Sequence, residues 1–346
     1  MMRKSLALCT ATGLAVASSA LLGATAAQAR DQLHIVGSST VFPFSTVVAE
    51  QFGKAGQFKT PVVESTGTGG GIKLFCAGAG EDTPDVVNAS RKIKDSEIEA
   101  CKKNGVTAIT EVTIGYDGIV LANSKKGPLL KLTVDDIWKG LAKQVPVNGK
   151  LVDNPYKTWA EVNKDLPAEK IEVLGPPPTS GTRDAFVELV LDKGCANVAE
   201  IKAITDEKAK KAACGTLRED GGYIDAGEND NLIVQKLESN PNALGIFGYS
   251  YLEQNEDKLQ GSLMDGVEPS FDNIVSGKYE VSRPLYFYVK NQHDGQVPGL
   301  REFVAEFMSD RATGQEGYAV DKGLIPLPAA LHQEAADAAL AMKSMM

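Results

Sequence analysis

The sequence predicts an α/β fold in two domains. Three observations carry this: the chain is longer than one hydrophobic core fills, a strand, polar loop and helix start recurs four times, and two separated cysteine pairs follow an export leader.

The leader comes first. Met1-Met2-Arg3-Lys4 is followed by a small, apolar run from Leu6 to Leu22 and by Ala27-Gln28-Ala29, the form of a secretory signal with its cleavage site. Residues 1–29 are therefore expected to be a signal peptide, cut after about Ala29. The run is rich in Ala, Ser, Thr and Gly and no basic stop-transfer cluster follows Leu22, so a permanent anchor is not expected. Leu8 precedes Cys9 where a lipoprotein signal wants a small residue, so lipidation there is not expected either.

Loss of Arg3 and Lys4, with no acid lost, moves the formal charge from −9 to −11. An acidic chain with scattered Lys and Arg lacks the electrostatic footprint of a nucleic-acid binder. An anionic ligand must be held by local geometry instead. The remaining cysteines, Cys76, Cys101, Cys195 and Cys214, are even in number in an exported chain, which favours disulfides. Sequence proximity suggests Cys76 with Cys101 and Cys195 with Cys214, although four cysteines permit three connectivities. No Cys-x-x-Cys pair is present and His34, His293 and His332 lie far apart, so neither a metal nor another cofactor is expected.

The recurring unit points at an anion. Leu33-His34-Ile35-Val36 leads into Gly37-Ser38-Ser39-Thr40-Val41-Phe42-Pro43, after which Phe44, Val47, Val48 and Phe52 fall at helical spacing, with Pro43 suited to a first turn. Pro61-Val62-Val63 leads through Glu64-Ser65-Thr66 into Gly67-Thr68-Gly69-Gly70-Gly71 and a helix from Ile72. Asp85-Val86-Val87-Asn88-Ala89 ends at Ser90-Arg91, and Ser96 to Glu99 fits a capping box. Ile171-Glu172-Val173-Leu174 runs into Gly175 and Ser180-Gly181-Thr182-Arg183; Ala185, Phe186, Leu189 and Val190 then form one apolar face, with Gly194 placed to end that helix.

The first turn of a helix leaves backbone N–H groups without internal partners, and the macrodipole makes that end partly positive. Tetrahedral oxyanions bind there, assisted by Ser and Thr hydroxyls and by an arginine fork that meets two oxygens at once. One Ser-Gly-Thr before a helix is ordinarily just an N-cap; four in one chain are not so readily explained. Gly67 to Lys73 has neither the spacing of a nucleotide P-loop nor that of a dinucleotide fingerprint, and no Gly-x-Ser-x-Gly elbow is present. Glu64, Asp184 and Glu188 read as solvated or capping acids. Phe247, Tyr249, Tyr286, Phe287 and Tyr288 read as strand core rather than as a sugar platform.

With these motifs in hand, the chain resembles the periplasmic phosphate-binding proteins of the high-affinity phosphate ABC transporter. The resemblance spans essentially the whole mature chain. It also rests on Tyr116-Asp117-Gly118-Ile119-Val120, Gly245-Ile246-Phe247-Gly248-Tyr249, Arg283-Pro284-Leu285-Tyr286 and Gly323-Leu324-Ile325-Pro326-Leu327-Pro328. It implies the type II periplasmic binding fold, the Venus-flytrap arrangement of two discontinuous α/β lobes joined by hinge strands. Crossings near Gly115–Ile119 and Tyr251–Glu253 would give residues 30–117 and 254–346 to lobe I and 118–253 to lobe II.

The resemblance further implies a periplasmic, monomeric, non-enzymatic protein that binds inorganic phosphate and passes it to a membrane permease driven by an ATPase. Carried over position by position, it assigns phosphate contacts to Ser39, Thr40 and the Val41 amide, to Thr68 and Gly69, and to Ser180, Gly181 and Thr182. Ser90 and Arg91 belong to the third loop. The best-known branch of the family has an aspartate where this chain has Arg91 and an arginine where it has Pro176; Arg183 follows the Ser-Gly-Thr instead. Arg91 and Arg183 are thus expected to neutralise a dianion, with Asp117 accepting the phosphate proton. Competing expectations are another oxyanion (sulfate, arsenate or molybdate), an exported phosphatase, or a matrix or adhesion role on a shared fold.

Overall fold

The computed structural model describes residues 30–227 and 230–346; the signal peptide expected over residues 1–29 lies outside the described residues. Among the described residues no helix is long and apolar enough to cross a membrane.

Strands β1 (His34–Gly37), β2 (Val62–Ser65) and β3 (Val86–Ala89) run parallel, with β1 between the other two. Each leads into a helix: α1 (Phe42–Lys54), α2 (Thr68–Phe75) and α3 (Asp95–Lys103). Parallel strands joined by helices place the strand ends and helix starts on one edge of the sheet, where ligands of such folds bind.

The 16-residue β4 (Ile109–Ser124) joins the two halves of the molecule. The second half contributes β5 (Val173–Gly175), β6 (Tyr223–Asp225), β7 (Leu244–Gly248) and β8 (Leu259–Gly261). The chain then returns as β9 (Ser282–Lys290), which lies antiparallel between β3 and β4. The nine-stranded sheet reads β2-β1-β3-β9-β4-β7-β5-β6, with β8 also on β4. Residues Ile109 to Gly118 of β4 pair with β9, and Ile119 to Ser124 pair with β7 and β8, so a single strand changes partners at Gly118/Ile119.

Alternation along β9 sorts its side chains between two cores. Phe287 and Val289 face α1 and the helix Leu300–Phe307, whereas Tyr286 and Tyr288 face α2 and α3. A further core draws on residues from Ile119 to Val281, with Ile325 added from the C-terminal segment. Phe247, Tyr286, Phe287 and Tyr288 are buried strand residues as expected, whereas Tyr249 is buried but opens the helix Tyr249–Glu253 that follows β7. Each fully buried ring contributes about 1.5–3 kcal/mol.

Where the strands change partners the backbone is specialised. Gly115 has φ +152°, and a Cβ there would sit 2.5 Å from the Ile325 carbonyl oxygen. Tyr116 N–H donates to that carbonyl at 2.7 Å and Ile325 N–H donates back at 3.1 Å, which pins the C-terminal segment to β4.

Both cysteine pairings hold. Cys76–Cys101 ties the end of α2 to α3, and Cys195–Cys214 ties the helix Asp192–Cys195 to the helix Glu207–Gly215. Two local expectations change. Gly194 lies inside a helix rather than after it; a Cβ there would stand 2.4 Å from the Val134 carbonyl oxygen, so its role is close helix packing. The α3 cap is also earlier than Ser96: Lys94 is the N-cap, and its N–H donates to the Glu97 carboxylate at 2.8 Å.

Candidate functional site

The sheet edge that carries the helix starts opens into a cavity of about 680 Å³. One wall is Gly67, Thr68 and Gly69 with Ser90 and Arg91; the other is Glu188 and Leu189 from the second half, and Arg283 lies at the base.

The second and third loops are held together by hydroxyls. Thr68 Oγ1 accepts the Ser90 N–H at 3.1 Å and lies 3.1 Å from Ser90 Oγ. Gly67 has φ +71°, a conformation that admits the chain into the first turn of α2. Arg91 extends beside Gly69, but its fork is engaged: Nη1 and Nη2 donate to the two Glu97 carboxylate oxygens at 2.9 and 2.8 Å. That bidentate pair raises the Arg91 pKa and lowers that of Glu97. Arg91 is therefore a fixed cation on the cavity wall.

In the first loop Ser38 is buried, and its Oγ accepts the Val41 N–H at 3.4 Å; the Val41 side chain belongs to the core. Thr40 Oγ1 accepts from Arg283 Nη2 at 3.0 Å. Ser39 Oγ donates to Asp184 Oδ2 at 2.5 Å, a bond between the two halves.

The fourth loop makes a different contact from the one expected. Ser180 Oγ accepts the Thr182 N–H at 3.2 Å and caps the helix Gly181–Phe186. Gly181 abuts the first loop, where a Cβ would stand 2.8 Å from the Ser39 carbonyl oxygen. Arg183 lies over the Tyr223 ring at 4.8 Å and donates to the Pro176 carbonyl at 3.3 Å. Among the described residues, none of Ser180 to Arg183 lines the cavity.

Arg283 is the centre of the site, and no role was assigned to it from the sequence. It pairs in register with Asp117 across β9 and β4, and its side chain is 11 % exposed. Its Nη1 donates to Glu188 Oε2 and its Nη2 to Thr40, while Nε stands 3.5 Å from Asp117 Oδ2. That last distance is too long for a well-formed hydrogen bond, and among the described residues neither Arg283 Nε nor Asp117 Oδ2 has a hydrogen-bond partner. Burial pushes the Asp117 pKa up, against the opposing pull of Arg283.

Glu188 and Asp184 are exposed, as the sequence suggested, but each also makes a contact with the other half of the molecule, Asp184 with Ser39 and Glu188 with Arg283. Lys92, which pairs with Glu111 at 3.2 Å, and Lys211 add positive charge to the cavity wall. Tyr286 also lines the cavity, and burial pushes its pKa up to about 12. A cluster of Asp192, Cys195 and Cys214 has metal-like proximity, but both cysteines are bound in the disulfide, which leaves one carboxylate.

Hydroxyls, helix starts and an arginine fork lie where a single strand joins the two halves, an arrangement suited to a small anion and the architecture of a type II binding protein. The sequence profile of the PBP superfamily domain matches residues 22–311. The protein SphX of Synechococcus elongatus is 32% identical over 321 residues, covering 91% of this chain and 83% of its own. The phosphate-binding protein PstS of Staphylococcus saprophyticus is 32% identical over 297 residues, covering 84% and 79%. A crystal structure described as a possible phosphate binding protein from Planctomyces limnophilus superposes with a TM-score of 0.72 at 28% identity, covering 90% of this chain and 99% of that one. The chain belongs to the PBP superfamily and, within it, to the family of PstS-like phosphate-binding proteins.

Proposed function

We propose that the protein captures inorganic phosphate between its two lobes and delivers it to the permease of an ABC transporter, which a cytoplasmic ATPase would drive. The observation that carries this reading is Arg283, a largely buried guanidinium at the strand crossing that already touches groups from both lobes beside an anion-sized set of hydroxyls. The name of the PstS relative, a phosphate-binding protein, supports the ligand, and the sequence leader supports a role outside the cytoplasm, in the periplasm after cleavage near Ala29.

In this reading Thr68, Gly69, Ser90 and Arg91 receive the anion from the lobe I side, and Ser39, Thr40 and the Val41 amide close on it through the first loop. Ser180, Gly181, Thr182 and Arg183 shape the approach of the second lobe. Asp117 in its ionised form is the acceptor for a protonated oxygen of phosphate; burial works against that form, and Arg283 works for it. Such an acceptor repels a fully ionised oxyanion, which favours phosphate over sulfate.

The lobes are drawn as residues 30–117 with 282–346, and 118–281. Packing of Leu259, Ile274 and Val281 into the core of the second half supports a return crossing at Ser282 rather than at Tyr251–Glu253. Isothermal titration of the phosphate-free protein with phosphate, then sulfate, tests the reading. Phosphate binding with a clear preference over sulfate is expected, and absence of phosphate binding would refute it.

A further inference from the structure

Two of the groups assigned to the anion are occupied by carboxylates of the protein itself. Ser39 Oγ donates to Asp184, and Arg283 Nη1 donates to Glu188. Asp184 and Glu188 stand four residues apart on one helical run, so both project from the same face of the second lobe toward the first. Between the helices Gly181–Phe186 and Asp192–Cys195 the run passes through a π-helical turn, Val187–Leu191, which contains Glu188. Such turns re-aim side chains and are frequent at functional sites. Glu188 is 51 % exposed at its side chain and lines the cavity, so it can swing into solvent without unfolding anything.

A carboxylate offers a guanidinium the same pair of charged oxygens that a phosphate does. We propose that Glu188, seconded by Asp184, is an internal competitor for the anion: it holds the lobes together across Arg283 when the site holds no ligand, and phosphate must expel it to bind. This rests on the phosphate-clamp reading. Glu188 thereby lowers the intrinsic affinity of the site and sets the threshold at which the clamp loads. The exposed carboxylate gives up its contact at modest cost, whereas the hydroxyls and Arg283 stay in place for the incoming anion.

The test compares the protein with its Glu188→Gln and Asp184→Asn variants in two readouts. Calorimetric titration with inorganic phosphate is expected to show Glu188→Gln binding about three- to tenfold tighter, with a smaller gain for Asp184→Asn, as expected for loss of a competing charge-assisted contact. Small-angle scattering without phosphate is expected to show a larger radius of gyration for Glu188→Gln, because the latch is gone. Weaker phosphate binding by Glu188→Gln would mean that the carboxylate helps hold the ligand, and would overturn the proposal. Tighter binding with no opening would reduce Glu188 to a nearby negative charge and would overturn it too. If neither the protein nor the variants bound phosphate, the clamp reading would fall, and the scattering comparison alone would still decide whether Glu188 latches the lobes.

Discussion

Asp117 and Arg283 face each other in register across the two strands that connect the halves of the molecule, with Asp117 Oδ2 3.5 Å from Arg283 Nε. The pair sits one residue from the point where β4 exchanges β9 for β7, so in the proposed reading the charge that meets the ligand lies where the strands cross between the two halves.

Burial raises the Asp117 pKa, so the folded state holds that proton more tightly than the unfolded chain does. The associated stability is greatest below the unfolded value of about 4 and is lost as pH rises through the folded value. Asp117→Asn keeps the shape and removes the titration. Its melting temperature relative to the native protein should therefore rise between pH 4 and pH 7, as read by thermal unfolding. A difference that does not vary with pH would contradict the assignment.

Arg91 contributes charge, and Glu97 contributes its position. Arg91→Ala should weaken phosphate binding about tenfold, the scale of one charge-assisted contact. Glu97→Gln should weaken it less, since the cation remains, while loosening the start of α3 where Glu97 accepts the Lys94 N–H. Equal losses in the two variants would show that Arg91 acts only through α3.

Lys290 is fully buried on β9, where Nζ donates to the Gly78 carbonyl at 2.7 Å and to Thr83 Oγ1 at 2.5 Å. Burial pulls its pKa down to about 8. The unfolded chain thus binds more protons between pH 8 and about 10.4, and the native contribution to stability rises across that window. Lys290→Met should be most favourable relative to the native protein near pH 7. That advantage should shrink by up to about 2–3 kcal/mol toward pH 10 in denaturant titrations.

The disulfides close spans of 25 and 19 residues in separate cores. Loop-closure entropy assigns roughly 3 kcal/mol to each. Replacing either pair by serine should lower unfolding stability by about that amount, and the two losses should add within about 0.5 kcal/mol because the sites are independent.

Much of the fold is legible in the sequence because its signals are local. The hydroxyl-rich loops, the helix starts and the cysteine pairs each lie within a few tens of residues. Arg283 was not legible as a site residue: its partner Thr40 is 243 positions away, and the two meet because β9 lies beside β3, which lies beside β1. Asp184 and Glu188 are exposed acids as expected, but their contacts with Ser39 and Arg283 were not legible, since an acid on an amphipathic helix carries no mark of the lobe it will face. Arg183, expected at the anion because it follows Ser-Gly-Thr, lies against Tyr223 and the Pro176 carbonyl, outside the cavity lining.

The most direct measurement is isothermal titration of the phosphate-free protein and of Arg283→Ala with phosphate and with sulfate. The native protein should bind phosphate well ahead of sulfate, and the variant should lose at least about tenfold, as expected when a guanidinium that bridges both lobes is removed. Undiminished phosphate binding by Arg283→Ala would contradict the placement of the anion at the hinge.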